Sequence, residues 1–264
     1  MAIITQDGAL AGMRPPETIL KVGTAPEVAG VYHSHFYATG RPGAATAPSP
    51  GLSGTALTSY AGQIPWVNPA SGNSYLARFN ASASVACKLL LCDRLWHNSG
   101  MTITSTGSQT INSVTWPARD RDGSTNGEGV LVGLEFSAAG GAGTPTCTLG
   151  YTNQAGTAGK TNTFLGIASS NIGTFYIWPL AAGDTGVRSV QTYQQSATWT
   201  SGTIHLVAFR IIATVCLPIP NVGNYVSMLD GFQRLYDNTV PFIIQVASAT
   251  TATNIIGQMI VTQG

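Results

Sequence analysis

The sequence predicts an all-β protein: an antiparallel β-sandwich of jelly-roll type with an extended Pro/Gly-rich region at its N-terminal side. Three observations carry this. Apolar residues alternate with polar ones at period two, turn-forming clusters separate these runs at the roughly 8–12-residue spacing of all-β folds, and no helical periodicity lies between them.

Residues 1–85 are rich in Pro, Gly and Ala, and RPGAATAPSPGLSG (Arg41–Gly54) can hold neither a helix nor a central strand, so it is read as loop. Gly30–Tyr37 (GVYHSHFY) and Tyr75–Phe79 (YLARF) read as isolated strands or parts of an arm that crosses to a neighbour. The clearest strand is Thr146–Thr152, where Cys147, Leu149 and Tyr151 alternate with Thr146, Thr148, Gly150 and Thr152. Val130–Phe136, Thr174–Trp178, Val187–Tyr193 and Thr203–Val215 are further strands, separated by AAGGAGTPT, TNQAGTAGKTN, PLAAGDTG and SATWTSG. Ser227–Tyr236 (SMLDGFQRLY) is the one stretch considered for a short helix, weakened by Gly231. Val240–Val246 and Thr253–Thr262 close the chain as strands. The expected organisation is an arm or loop-rich β region (1–85), a main sandwich (86–216) and a C-terminal β segment (217–264).

Only 9% of the 264 residues are charged while 44% are hydrophobic. An ordinary soluble domain carries about 25% charged residues. A surface built of Gly, Ser, Thr, Asn and Gln suits a subunit that packs against other copies, and sparse charge leaves strand edges unprotected against such pairing. Twelve basic and eleven acidic residues give a net charge of +1 with no basic run, so phosphate neutralisation of nucleic acid has no footprint. Nine arginines against three lysines favour contact surfaces. No stretch has the form of a secretory signal or a membrane span, and a reducing cytoplasm is expected as the place of synthesis. Cys87, Cys92, Cys147 and Cys216 lack a C-x-x-C spacing and read as buried small hydrophobes.

No catalytic, metal or cofactor site is expected. Asp120–Glu128 (DRDGSTNGE) offers alternate oxygen ligands, but its glycine stands at the fourth position and Leu131 occupies the twelfth, where a calcium loop needs Glu. It reads as a solvated loop, with an ion or interface loop as the alternative. His33 and His35 would share one face of a strand and would need a further ligand to hold a metal; His97 lies elsewhere, and His205 is expected to point outward. Ser53 in GLSGT fails the nucleophile-elbow pattern, and Cys92 near Asp93 and His97 makes no dyad by sequence proximity alone. Glu128, Glu135, Asp184 and Asp230 include no motif for a hydrolytic carboxylate pair. Trp66, Trp96, Trp116, Trp178 and Trp199 read as core or interface anchors, and Arg41, Trp66, Trp96, Arg119, Arg121 and Trp199 are the interface candidates.

Four stretches, LLLCDRLWHNSGMTITSTGSQTINS (Leu89–Ser113), WPARDRDGSTNGEGVLVGLEFS (Trp116–Ser137), TCTLGYTNQAGTAGKT (Thr146–Thr161) and AAGDTGVRSVQ with TWTSGTIHLVAFR (Ala181–Arg210), resemble tailed-bacteriophage virion structural proteins. A weaker likeness continues through RLYDNTVPF. The resemblance implies a β-rich, often jelly-roll fold, a homo-oligomer, commonly a trimer, and a place on the virion. It brings no catalytic residues. The expected function is a non-enzymatic cement or decoration protein that clamps neighbouring major capsid subunits, with no direct nucleic-acid or membrane contact and no cofactor. A tail, collar or baseplate component, and a virion-associated carbohydrate-active enzyme, are the alternatives.

Overall fold

The computed structural model describes residues 3, 5–23, 25–231 and 233–264, and these are almost entirely antiparallel β-structure. A short helix, α1 (Gln6–Ala11), precedes β1 (Glu17–Val22), β2 (Tyr32–Ser34), β3 (Thr39–Arg41), β4 (Thr55–Ala56), β5 (Ser74–Ala83), β6 (Cys87–His97) and β7 (Gln109–Thr110). Then come β8 (Val130–Ala138), β9 (Thr146–Asn153), β10 (Lys160–Leu165), β11 (Thr174–Ile177), β12 (Val187–Gln195) and β13 (Thr203–Leu217). The last strands are β14 (Asn224–Ser227), β15 (Arg234–Leu235), β16 (Pro241–Ala247) and β17 (Ile255–Gln263). The all-β expectation holds, and each strand run expected from Tyr75 onward has its counterpart.

Three local readings are corrected. Gly30–Tyr37 is a strand only over β2; His35–Tyr37 forms a 3-10 turn that Ser34 caps through its hydroxyl. Over Ser227–Tyr236 the described residues form a 3-10 turn, Met228–Asp230, closed by a reciprocal Ser227–Asp230 capping box, and then β15. Cys216 is exposed, unlike the buried Cys87, Cys92 and Cys147.

By contacts the chain forms two units: Met1–Ala45, Ser59–Asp93 and Ile211–Gly264 make the first, Thr46–Thr58 and Arg94–Arg210 the second. This differs from the three consecutive segments expected above, because strand pairing follows register and not chain order. The N-terminal region is tied in: β1 lies between β17 and β3, with Glu17 opposite Met259 and Leu20 opposite Arg41.

In the first unit the six-stranded sheet runs β14-β5-β17-β1-β3, with β15 also on β5. Its inner face presents Ile19, Phe79, Ala81, Ala83, Ile255 and Met259 to Leu89 and Leu91 of β6, Val215 and Leu217 of β13, and Ile243 of β16. A bulge makes this possible. Val261 opposes Leu76 while Ile260 opposes Arg78, so Ala77 is an extra residue and Leu76 joins the core side with Phe79. Full burial of each large apolar side chain is worth about 1.5–3 kcal/mol.

In the second unit a four-stranded sheet, β10-β9-β12-β7, provides Cys147, Leu149, Tyr151, Val190 and Tyr193, all buried. The alternating Val130, Val132, Leu134 and Phe136 of β8 are buried as well; β8 pairs with β11 and with Ile204–Arg210 of β13. Ring packing completes the core: Phe136 meets Trp199 edge to face at 5.3 Å, and Phe164 stacks on Tyr176 at 4.8 Å. The indole N–H groups are satisfied locally, Trp178 donating to Cys147 O and Trp199 to Ile167 O.

Candidate interaction surface

Half of the expected interface set is buried inside its own unit. Trp96 and Trp199 are 0% exposed and Arg119 is 3% exposed, so none of them can anchor a partner. Trp96 donates to Ser53 O, and the Arg119 guanidinium donates to Leu57 O and Arg94 O, tying Thr46–Thr58 to the rest of the second unit. A Trp or Arg beside a strand reads the same in sequence whether its face is covered or open. Arg41 and Arg121 are exposed, and Trp66 is half-buried, donating to Thr239 O while packing on the first unit's core.

Asp120–Glu128 is organised around a buried carboxylate. Asp120 Oδ1 accepts from the backbone N–H of Asp122 and Ser124; Oδ2 accepts from the Ser124 hydroxyl and from the N–H of Gly127 and Glu128. Five donors occupy two oxygens, which leaves little lone-pair capacity for an ion. Burial alone would push this carboxyl up, but the bonds from Ser124, Glu128 and Asp122 outweigh it and hold the carboxyl below its ordinary value. Gly127 is required: its φ is +83°, and a Cβ there would lie 2.0 Å from Val187 O. Asp120→Ala is expected to destabilise the protein by about 1.5–3 kcal/mol, read from the urea midpoint, whereas millimolar calcium should leave the wild-type midpoint unchanged.

The other chemical candidates have structural partners. Glu135 pairs with Arg94 at 2.6 Å, both side chains 0% exposed. Glu128 pairs with Arg121 at 2.9 Å and accepts from Thr185 at 2.7 Å. Asp184 accepts from Tyr151 and Asn153, and Asp230 caps its 3-10 turn. Burial pushes the Cys87 and Cys147 thiols up to about 12, with Glu27 adding to the effect at Cys87, so neither is a nucleophile at neutral pH. Among the described residues, no three His, Cys, Asp or Glu side chains gather as metal ligands.

His205 is corrected from outward to fully buried. Its Nδ1–H must donate to Asn98 O (2.8 Å), which fixes the tautomer, and Nε2 then accepts from Ser137 Oγ (2.7 Å). Ser137 is the extra residue of a bulge, since Ala138 faces Thr203 while Phe136 faces Ile204. A serine bonded to an oriented imidazole is the beginning of a hydrolase site, but the nearby N–H groups of Gly140 and Gly141 are spent on Ser170 O and Ser201 O. The pair is read as structural.

What remains open is the outer face of the six-stranded sheet. Directly opposed residues share a face, so the register writes two outward rows across the strands. One row is Tyr225–Asn80–Gln258–Thr18. The next is Ser82–Ile256–Leu20–Arg41, in which Ile256 is 60% and Leu20 41% exposed. Val22, 49% exposed, extends the apolar strip along β1. A groove of about 500 Å³ lies over β14, β5 and β17. Pattern alone could not find these rows, because Asn80 and Gln258 meet only through pairing of strands from opposite ends of the chain.

No family model matches the chain, and no curated protein matches it. Among solved structures, it is similar to the infectious bursal disease virus VP2 subviral particle at TM-score 0.24 and 9% identity, over 96% of this chain and 81% of that chain. It is also similar to the infectious bursal disease virus Gt strain structure at TM-score 0.12 and 9% identity, over 95% and 42% of the two chains. At these scores the likeness carries no argument about function. Among the described residues, no helix is long and apolar enough to cross a membrane.

Proposed function

We propose that this chain is a non-enzymatic structural subunit of a virion, a cement or decoration protein of a tailed-phage head that forms homotrimers and clamps neighbouring major capsid subunits. The observation that carries the reading is the apolar strip of Leu20, Val22 and Ile256, open to solvent and flanked by Arg41, on a chain with 9% charged residues. A freely dispersed monomer gains nothing from such a strip, whereas a lattice subunit covers it. The resemblance of residues 89–210 to phage virion proteins supplies the setting.

The mechanism is mechanical. Copies bury their weakly charged surfaces against one another and against the shell, and many modest contacts add through avidity. No nucleic acid, membrane or cofactor takes part. Particles lacking the protein are expected to rupture at a lower temperature than complete ones, and particles loaded with Leu20→Asp protein should behave like those lacking it. Equal rupture temperatures for empty and loaded particles would refute the clamp. A copy number too low to cover the shell would place the protein in the tail, collar or baseplate instead.

A further inference from the structure

We propose that the groove over β14, β5 and β17 binds an acidic oligosaccharide, with the sugar chain running across the strands and its carboxylate on Arg78. The side chains that line the groove, and the groups there that lack partners, favour such a ligand whether or not the protein belongs to a virion.

The lining is that of a sugar site. The outward row offers an aromatic ring, two carboxamides and a hydroxyl in succession, Tyr225, Asn80, Gln258 and Thr18. Strands lie about 4.8 Å apart, so each strand presents one polar group for about each pyranose ring laid across the sheet. Tyr225 is 55% exposed, which leaves apolar ring surface for the C–H face of a sugar. The carboxamide oxygen of Asn80 is buried and has no hydrogen-bond donor among the described residues. An acceptor left in that condition is costly; it is shielded from solvent, so a sugar hydroxyl satisfies it when the Asn80 carboxamide turns into the groove.

Charge selects the class of sugar. Among the described residues of the lining, Arg78 is the only charged one, and none of them is an acid. Its guanidinium carbon lies 4.2 Å over the Tyr225 ring, which holds the fork in place. Among the described residues that guanidinium makes no hydrogen bond or ion pair, so its N–H groups are open to a carboxylate. One guanidinium in a field of neutral amides suits a single carboxylate on a hydroxyl-rich ligand. A nucleic-acid backbone would call for several cations. The volume, about 500 Å³, is that of a small-ligand site.

The test uses the full chain with two probes, a glucuronate-containing disaccharide and the neutral disaccharide in which that carboxylate is reduced to the alcohol. Saturation-transfer NMR should report binding of both, the acidic sugar about tenfold tighter, as a charge-assisted bond provides. Arg78→Gln should remove that preference, and Tyr225→Ala should weaken both sugars. Both positions are on the outer face, so the variants should melt with the wild type, which separates loss of binding from loss of fold. Absence of transfer to either sugar at about 10 mM, equal affinity for both, or a preference that survives Arg78→Gln would overturn the proposal. Particle-heating results bear only on the clamp and leave this outcome separately readable.

Discussion

Lowering the pH from 7 to 5 is expected to remove much of the protein's stability, seen as a steep fall of the urea midpoint well above the range in which carboxylates titrate. All four histidines are buried: His33 is 6%, His35 1%, His97 1% and His205 0% exposed. Burial holds each below the ordinary histidine value. His33 lies at about 4, and His35 at about 3, where neighbouring His33 adds to burial and the Gln245 bond partly offsets it. His97 lies at about 2, with Arg94 and His205 adding to burial. His205 is lowered by burial against the opposing pull of Asn98 O and Glu135. The unfolded chain takes up protons near pH 6.5 that the folded chain refuses, so stability is complete above 6.5 and falls as pH drops toward the folded values. At pH 5 this amounts to at most about 2 kcal/mol per histidine, against a total of about 5–15 kcal/mol for a typical domain. Glu27, held above its ordinary value chiefly by burial, acts with the opposite sign as pH falls. A midpoint unchanged between pH 7 and 5 would mean that these imidazoles are not buried neutral groups.

Replacing Arg94 by Met is expected to destabilise the protein by about 3–5 kcal/mol. Glu135, at 0% exposure, would lose its guanidinium partner at 2.6 Å, and His97 Nδ1 would lose its Arg94 donor at 3.3 Å. Exchanging both partners for apolar residues, Arg94→Met with Glu135→Leu, should recover most of the loss, because two buried charges are then removed together. Urea unfolding of the two singles and the double completes the cycle. Additive losses would show that the two side chains do not depend on each other.

Both predictions concern buried polar residues that alternation placed poorly. Period two tells which residues share a face of a strand, and on that ground β8, β9 and β13 were legible. It does not tell whether that face is covered. Both faces of β13 are buried over most of its length, which is why His205 lies inside; β6 is covered on both faces as well, which encloses Trp96, whereas Trp199 and Arg119 are buried in loop segments that no strand period describes. The Asp120 loop was recognisable as polar, yet its five inward bonds depend on a backbone turn around Gly127 that composition does not describe.

Composition and local patterning suffice for an all-β antiparallel chain with little charge, because they reflect short-range preferences of backbone and side chain. The two units, the pairing of β1 with β17 and the outward row from Tyr225 to Thr18 come from long-range register. Asn80 and Gln258 become neighbours only when strands 178 positions apart pair, and a one-residue slip between them would turn one of the two inward.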